Sequence, residues 1–79
     1  MAIDDQIRAV LRARNDRIEL LADTPLGSRG LGLDSIDIVE VLLECEELLG
    51  IVIASELLDG ESLTVGRLIE KARAAAGSA

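Results

Sequence analysis

The chain has 79 residues, 15 of them acidic and 8 basic, for a formal net charge of −7. It has one Cys and no His, which excludes an internal disulfide, a His-containing metal site and the Ser-His-Asp or Cys-His catalytic arrangements. The acidic surface repels nucleic acid and the 0 % aromatic content offers bases no stacking platform, while 49 % hydrophobic residues are enough for a core made of Leu, Ile, Val and Ala.

The N-terminus, Met1-Ala2-Ile3-Asp4-Asp5, lacks the basic start and apolar centre of a signal peptide. No apolar run approaches the roughly 18 residues of a membrane span. A cytoplasmic protein with no membrane partner is expected, and Met1 points to a freestanding chain. Ile3, Ile7, Val10 and Leu11 then repeat at steps of four, three and one, the period of one helix face. With Asp4 and Asp5 early and Arg8, Arg12 and Arg14 later, the charges follow the helix dipole. The first helix is placed at residues 3–14.

Residues 15–33 read as a long connection, broken by Asp23-Thr24-Pro25 and by Gly27, Gly30 and Gly32. Ile18, Leu20, Leu21, Leu26, Leu31 and Leu33 are available to pin it across the molecule, with a short extra turn allowed around Ile18–Leu21. Asp34 is a good N-cap for the second helix, Asp37 follows three residues later, and Gly50 is a natural terminator. Ile38, Val41, Leu42, Cys45, Leu48 and Leu49 have helical spacing and are expected in the core. Asp37, Glu40, Glu44 and Glu47 form an acidic stripe on another face, with Ile36, Val39 and Leu43 beside it and partly uncovered.

Ile51-Val52-Ile53 is too short for a strand within a sheet and reads as an extended connection with Ile53 turned inward. Ser55 can cap a short third helix through Asp59, stopped by Gly60. Thr64 can cap the last helix, whose apolar face is Val65, Leu68, Ile69 and Ala72, extended by Ala75 and Ala76. Gly77-Ser78-Ala79 is expected to fray. The expected fold is all-α: a small four-helix bundle of three main helices and one short one, with a long loop between the first and second, in one domain spanning 1–79.

The segment that calls for a chemical explanation is Leu31-Gly32-Leu33-Asp34-Ser35-Ile36-Asp37. It sets Ser35 on the first turn of a helix, behind a Gly-containing loop expected to be flexible and so to leave room for a modifying enzyme. Helix N-terminal N–H groups are unpaired and carry partial positive charge, so a phosphodiester on Ser35 would suit the site. Asp34-Ser35 also serves simply as a helix cap, and the acidic stripe also reads as a solvated face or a means of solubility. Cys45 falls on the apolar face with no His to activate it and reads as a packing residue. No pair of carboxylates converges on a pocket, no EF-hand pattern is present, and an enzyme is not expected.

Gly32-Leu33-Asp34-Ser35-Ile36-Asp37-Ile38-Val39-Glu40, continued through Leu43, Glu46, Glu47 and Gly50-Ile51 and resumed at Leu63-Thr64-Val65-Gly66-Arg67-Leu68, resembles the acyl carrier protein family, including its peptidyl relatives. The resemblance implies an acyl-carrier-protein-like bundle. It further implies a covalent 4′-phosphopantetheine on Ser35, with Asp34 as its motif neighbour, placed by a phosphopantetheinyl transferase using coenzyme A. It implies a monomeric carrier that delivers thioester-bound acyl cargo to enzymes of fatty-acid or polyketide-type biosynthesis. Those loading and processing enzymes would present basic patches to Asp37, Glu40, Glu44 and Glu47, with Ile36 and Leu43 as apolar contacts. Aminoacyl cargo in a nonribosomal-peptide-type pathway and an unmodified helical interaction module are the alternatives; Leu33 and the acidic second helix favour acyl cargo. Ile36 stands where the family more often has Leu, and Leu49 where Phe is frequent.

Overall fold

A computed structural model describes residues 2–17, 19–53 and 63–77. Among them are three helices, α1 (Ile3–Arg14), α2 (Ser35–Leu49) and α3 (Val65–Gly77), and no strand. The short helix expected after Ser55, the position of Ile18 and the last two residues lie outside the described residues.

α1 begins after Ala2, which offers no side-chain cap, and relies on Asp4 and Asp5 in its first turn and Arg12 and Arg14 in its last. Its buried face is Ile7, Val10 and Leu11. The Asp4 carboxylate meets Arg73 Nη2 at 2.9 Å and so ties the start of α1 to α3. Backbone hydrogen bonding at Asp4 and then the Arg73 guanidinium hold that carboxyl below its usual range.

α2 starts where Asp34 accepts a hydrogen bond from the Asp37 N–H at 2.8 Å. It ends at Gly50, whose left-handed φ of 67° closes the helix while its N–H donates to the Glu46 carbonyl at 2.8 Å. Ile38, Val41, Leu42 and Cys45 are buried, and Leu49 packs partly against them. Leu48 departs from expectation: it is 56 % exposed. At about 100° per residue Leu48 falls at the margin of the face that Ile38, Leu42, Cys45 and Leu49 share. The chain reverses at Gly50, and Ile51 and Ile53 enter the core at that end. Val52, between them, is 79 % exposed. The Glu46 carboxylate holds this return by accepting the Ile53 N–H at 2.6 Å.

α3 is capped by Thr64, whose hydroxyl accepts the Arg67 N–H at 3.2 Å. Val65, Leu68, Ile69 and Ala72 are buried and Ala75 and Ala76 partly so. Gly77, expected to fray, is its last helical residue.

The residues between α1 and α2 are tied down by backbone bonds to sequence-distant partners. Pro25 and Thr64 form an isolated antiparallel bridge. Around it the Leu26 N–H donates to Leu63 O at 3.0 Å, Val65 N–H to Thr24 O at 2.9 Å and Gly66 N–H to Ala22 O at 2.8 Å. Thr24, a buried polar residue, accepts the Leu21 N–H and donates to the Glu19 carbonyl. Arg8 of α1 donates to the Leu20 carbonyl, and Nδ2 of Asn15, the residue that caps α1, donates to the Leu31 carbonyl at 3.0 Å, so the connection is held at two points. Leu20, Leu26, Leu31 and Leu33 are buried as expected; Leu21 is exposed. The turn from Leu21 to Thr24 sets that outcome, because adjacent residues of an extended chain point to opposite sides and only Leu20 goes inward.

Candidate functional site

The approach to Ser35 is knit rather than loose. The Leu31 N–H reaches back to Pro25 O at 3.0 Å, Gly32 N–H to Gly27 O at 2.8 Å and Leu33 N–H to Leu26 O at 3.1 Å. Gly30 sits so close to Pro25 that a Cβ on it would stand 2.1 Å from the Pro25 carbonyl oxygen, an impossible approach for any side chain. The flexible loop expected from the glycines is therefore a closed turn anchored by Leu26, Leu31 and Leu33. Access to the site comes instead from exposure of the first turn of α2.

Ser35 is the first residue of α2 and is exposed. Asp34 performs the cap, so the Ser35 hydroxyl is not needed for it. No hydrogen bond within the described residues engages that hydroxyl or the N–H groups of Ser35 and Ile36. The Asp37 N–H is taken by Asp34 and the Ile38 N–H by the Asp34 carbonyl. Two N–H donors at the positive end of a helix thus stand open beside an exposed hydroxyl, the arrangement that suits a phosphate.

On α2 next to this point Ile36 is 68 % exposed, and Val39 and Leu43 are also exposed. Asp37, Glu40 and Glu44 share one face with them, but they do not stand free. Arg14, at the end of α1, lies across all three: its Nη1 is 3.1 Å from Glu40 Oε2 and 3.6 Å from Asp37 Oδ1, and its Nη2 is 3.8 Å from Glu44 Oε2. Glu47 is exposed and outside this network. Sequence reasoning placed Arg14 only as a dipole-matching residue. The signal for its wider role was a long cation at the end of one helix facing an acidic neighbouring helix. Glu46, which anchors the return to Ile53, had no signal in the helical periodicity.

Cys45 is fully buried. Burial, reinforced by the nearby Glu44 charge, pushes its thiol from 9.0 up to about 11. It is therefore a protonated packing group at neutral pH. Because the thiolate is disfavoured only in the folded state, its effect on stability is constant below pH 9 and turns unfavourable as pH rises from about 9 to 11. In the unmodified chain we expect maleimide labelling of Cys45 to be negligible at pH 7 and to become complete in denaturing urea, read by intact mass. Rapid labelling of the folded chain would place the thiol at the surface.

Among the described residues no cluster of Cys, Asp and Glu could hold a metal ion, and no helix is long and apolar enough to cross a membrane. Comparison with curated proteins and with solved structures gave no match. The family model described as "Phosphopantetheine attachment site" matches residues 2–72, nearly the whole chain. With a capped, exposed serine at the head of its central helix, the chain belongs to this phosphopantetheine-attachment family of acyl and peptidyl carriers, whose 4′-phosphopantetheine is held covalently on a serine.

Proposed function

We propose that Ser35 is the attachment point and that the chain is an acyl carrier protein serving fatty-acid or polyketide-type biosynthesis. The carrying observation is the first turn of α2: an exposed serine whose hydroxyl is unengaged, beside the open N–H groups of Ser35 and Ile36. Asp34 starts the helix and thereby presents Ser35; the buried leucines of the preceding turn hold it at a defined place. The arm, once attached, supplies a terminal thiol on which cargo rides as a thioester. The chain itself does no bond chemistry beyond offering the serine hydroxyl. It acts as a monomer, in one domain, within the cytoplasm.

Delivery requires enzymes to recognise the surface around Ser35. Ile36 and Leu43 offer exposed apolar contacts, and Asp37, Glu40, Glu44 and Glu47 offer negative charge to basic patches on the transferase and on loading and processing enzymes. Exposed charge pairs contribute roughly 0.2–1 kcal/mol each and are screened by salt. They favour fast, reversible encounter, which suits a shuttle that must leave each enzyme. Leu33 and the acidic α2 support acyl over aminoacyl cargo.

The experiment is the intact mass of the chain before and after incubation with coenzyme A, magnesium and a broad-specificity phosphopantetheinyl transferase. A gain of one phosphopantetheine is expected. A chain that is folded by circular dichroism and gains nothing from several such transferases would overturn the reading.

A further inference from the structure

Three of the four carboxylates assigned to docking already share a cation from within the molecule. Arg14 contacts Asp37, Glu40 and Glu44 at 3.6, 3.1 and 3.8 Å. All three of these contacts come from the one guanidinium. The three contacts lie along the half of the stripe nearer Ser35, and Glu47 at the far end takes no part. The guanidinium is also well placed at the negative end of α1, so it is held near the stripe by the helix that carries it. A cation built into the same molecule competes at a fixed effective concentration, whatever the concentration of partner.

We propose that Arg14 is an internal competitor for the basic residues of partner enzymes, setting how tightly the Ser35 end of α2 is bound and how readily it is released. This rests on the reading of α2 as the docking surface. An arriving Lys or Arg must displace Arg14 or share its carboxylates, which weakens the complex. On departure Arg14 returns to the same oxygens and replaces the lost partner charge. The contacts are exposed and individually weak, so the exchange is easily reversed.

The test measures KM and kcat for phosphopantetheinylation of the unmodified chain by the same transferase, at low ionic strength and at high salt. Arg14→Ala is expected to lower KM by about three- to tenfold at low salt, and Arg14→Lys to remain near wild type. The difference should vanish at about 0.5 M salt, where screening acts within a few ångströms. Glu40→Gln and Glu47→Gln should each raise KM. The gain from Arg14→Ala should shrink in the Glu40→Gln background, because that pair is coupled, and persist in the Glu47→Gln background, because that one is not. If neither Glu variant changes KM, the docking reading fails. If both raise KM while Arg14→Ala leaves it unchanged or raised, docking stands and the competitor role is wrong. Circular dichroism melts accompany each variant, and Arg14→Gln, which keeps most of the stem, repeats the measurement should the alanine variant lose helix.

Discussion

Ser35→Ala is expected to abolish the gain of phosphopantetheine and to leave the bundle standing. The two halves of that outcome have separate physical grounds. The chemical half follows from the oxygen: alanine has no nucleophile to bond to phosphorus, and no second serine among the described residues has the same setting. Ser28 is exposed, but it lies in the Gly27–Gly30 turn rather than at the head of a helix. The structural half follows from the cap. Asp34, not Ser35, receives the Asp37 N–H, the Ser35 hydroxyl bonds to nothing in the described residues, and alanine is a strong helix former at an exposed position. The change in stability should stay within about 0.5 kcal/mol. Intact mass after exhaustive incubation reads the first half and a urea melt reads the second. A variant still gaining one phosphopantetheine would move the attachment to another residue. A variant that no longer melts cooperatively would show that the hydroxyl has a structural role the hydrogen bonding does not reveal.

That clean separation depends on features legible in the amino-acid sequence alone. Amphipathic spacing located α1, α2 and α3, because each buries one face and the apolar residues must recur at the helical period. Asp34, Gly50 and Thr64 marked ends because their side chains or backbone satisfy groups that every helix leaves unpaired. The extended reading of Ile51-Val52-Ile53 likewise turned Ile53 inward, where it is buried. What stayed hidden depends on distant parts of the chain. Pairing of Leu26 with Leu63 and of Thr24 with Val65 leaves no periodic trace, so three glycines read as flexibility where backbone bonds make a closed turn. Leu48 has the spacing of a core residue but lies at the margin of the buried face, and whether a neighbour covers that margin is decided by distant parts of the chain. Arg14 follows the same rule: its position within α1 was evident, and its reach to Asp37, Glu40 and Glu44 on α2 was not.

Two neighbouring leucines test the orientation of α2 on which the site depends. Leu42 is 0 % exposed and Leu43 is 52 % exposed, because one residue turns a helix by about 100°. Leu42→Ala removes atoms from a core in which Val41 and Cys45 are also fully buried, and is expected to cost about 2–5 kcal/mol. A chain this size has roughly 4–12 kcal/mol in all, so the alanine variant should melt at much lower urea or stand near the edge of folding. Leu43→Ala, already half in water, should cost about 1 kcal/mol or less. With no Trp or Tyr in the chain, far-UV circular dichroism is the signal to follow. Should the Leu42→Ala variant be unfolded in water, Leu42→Val, which removes less, brings the measurement back into range. Equal losses at the two positions, or a larger one at Leu43, would rotate α2 away from the arrangement described. Ile36, Glu40 and Leu43 would then turn inward and could not form one exposed surface beside Ser35. The stability of a buried leucine thus bears directly on whether partner enzymes have a surface to recognise.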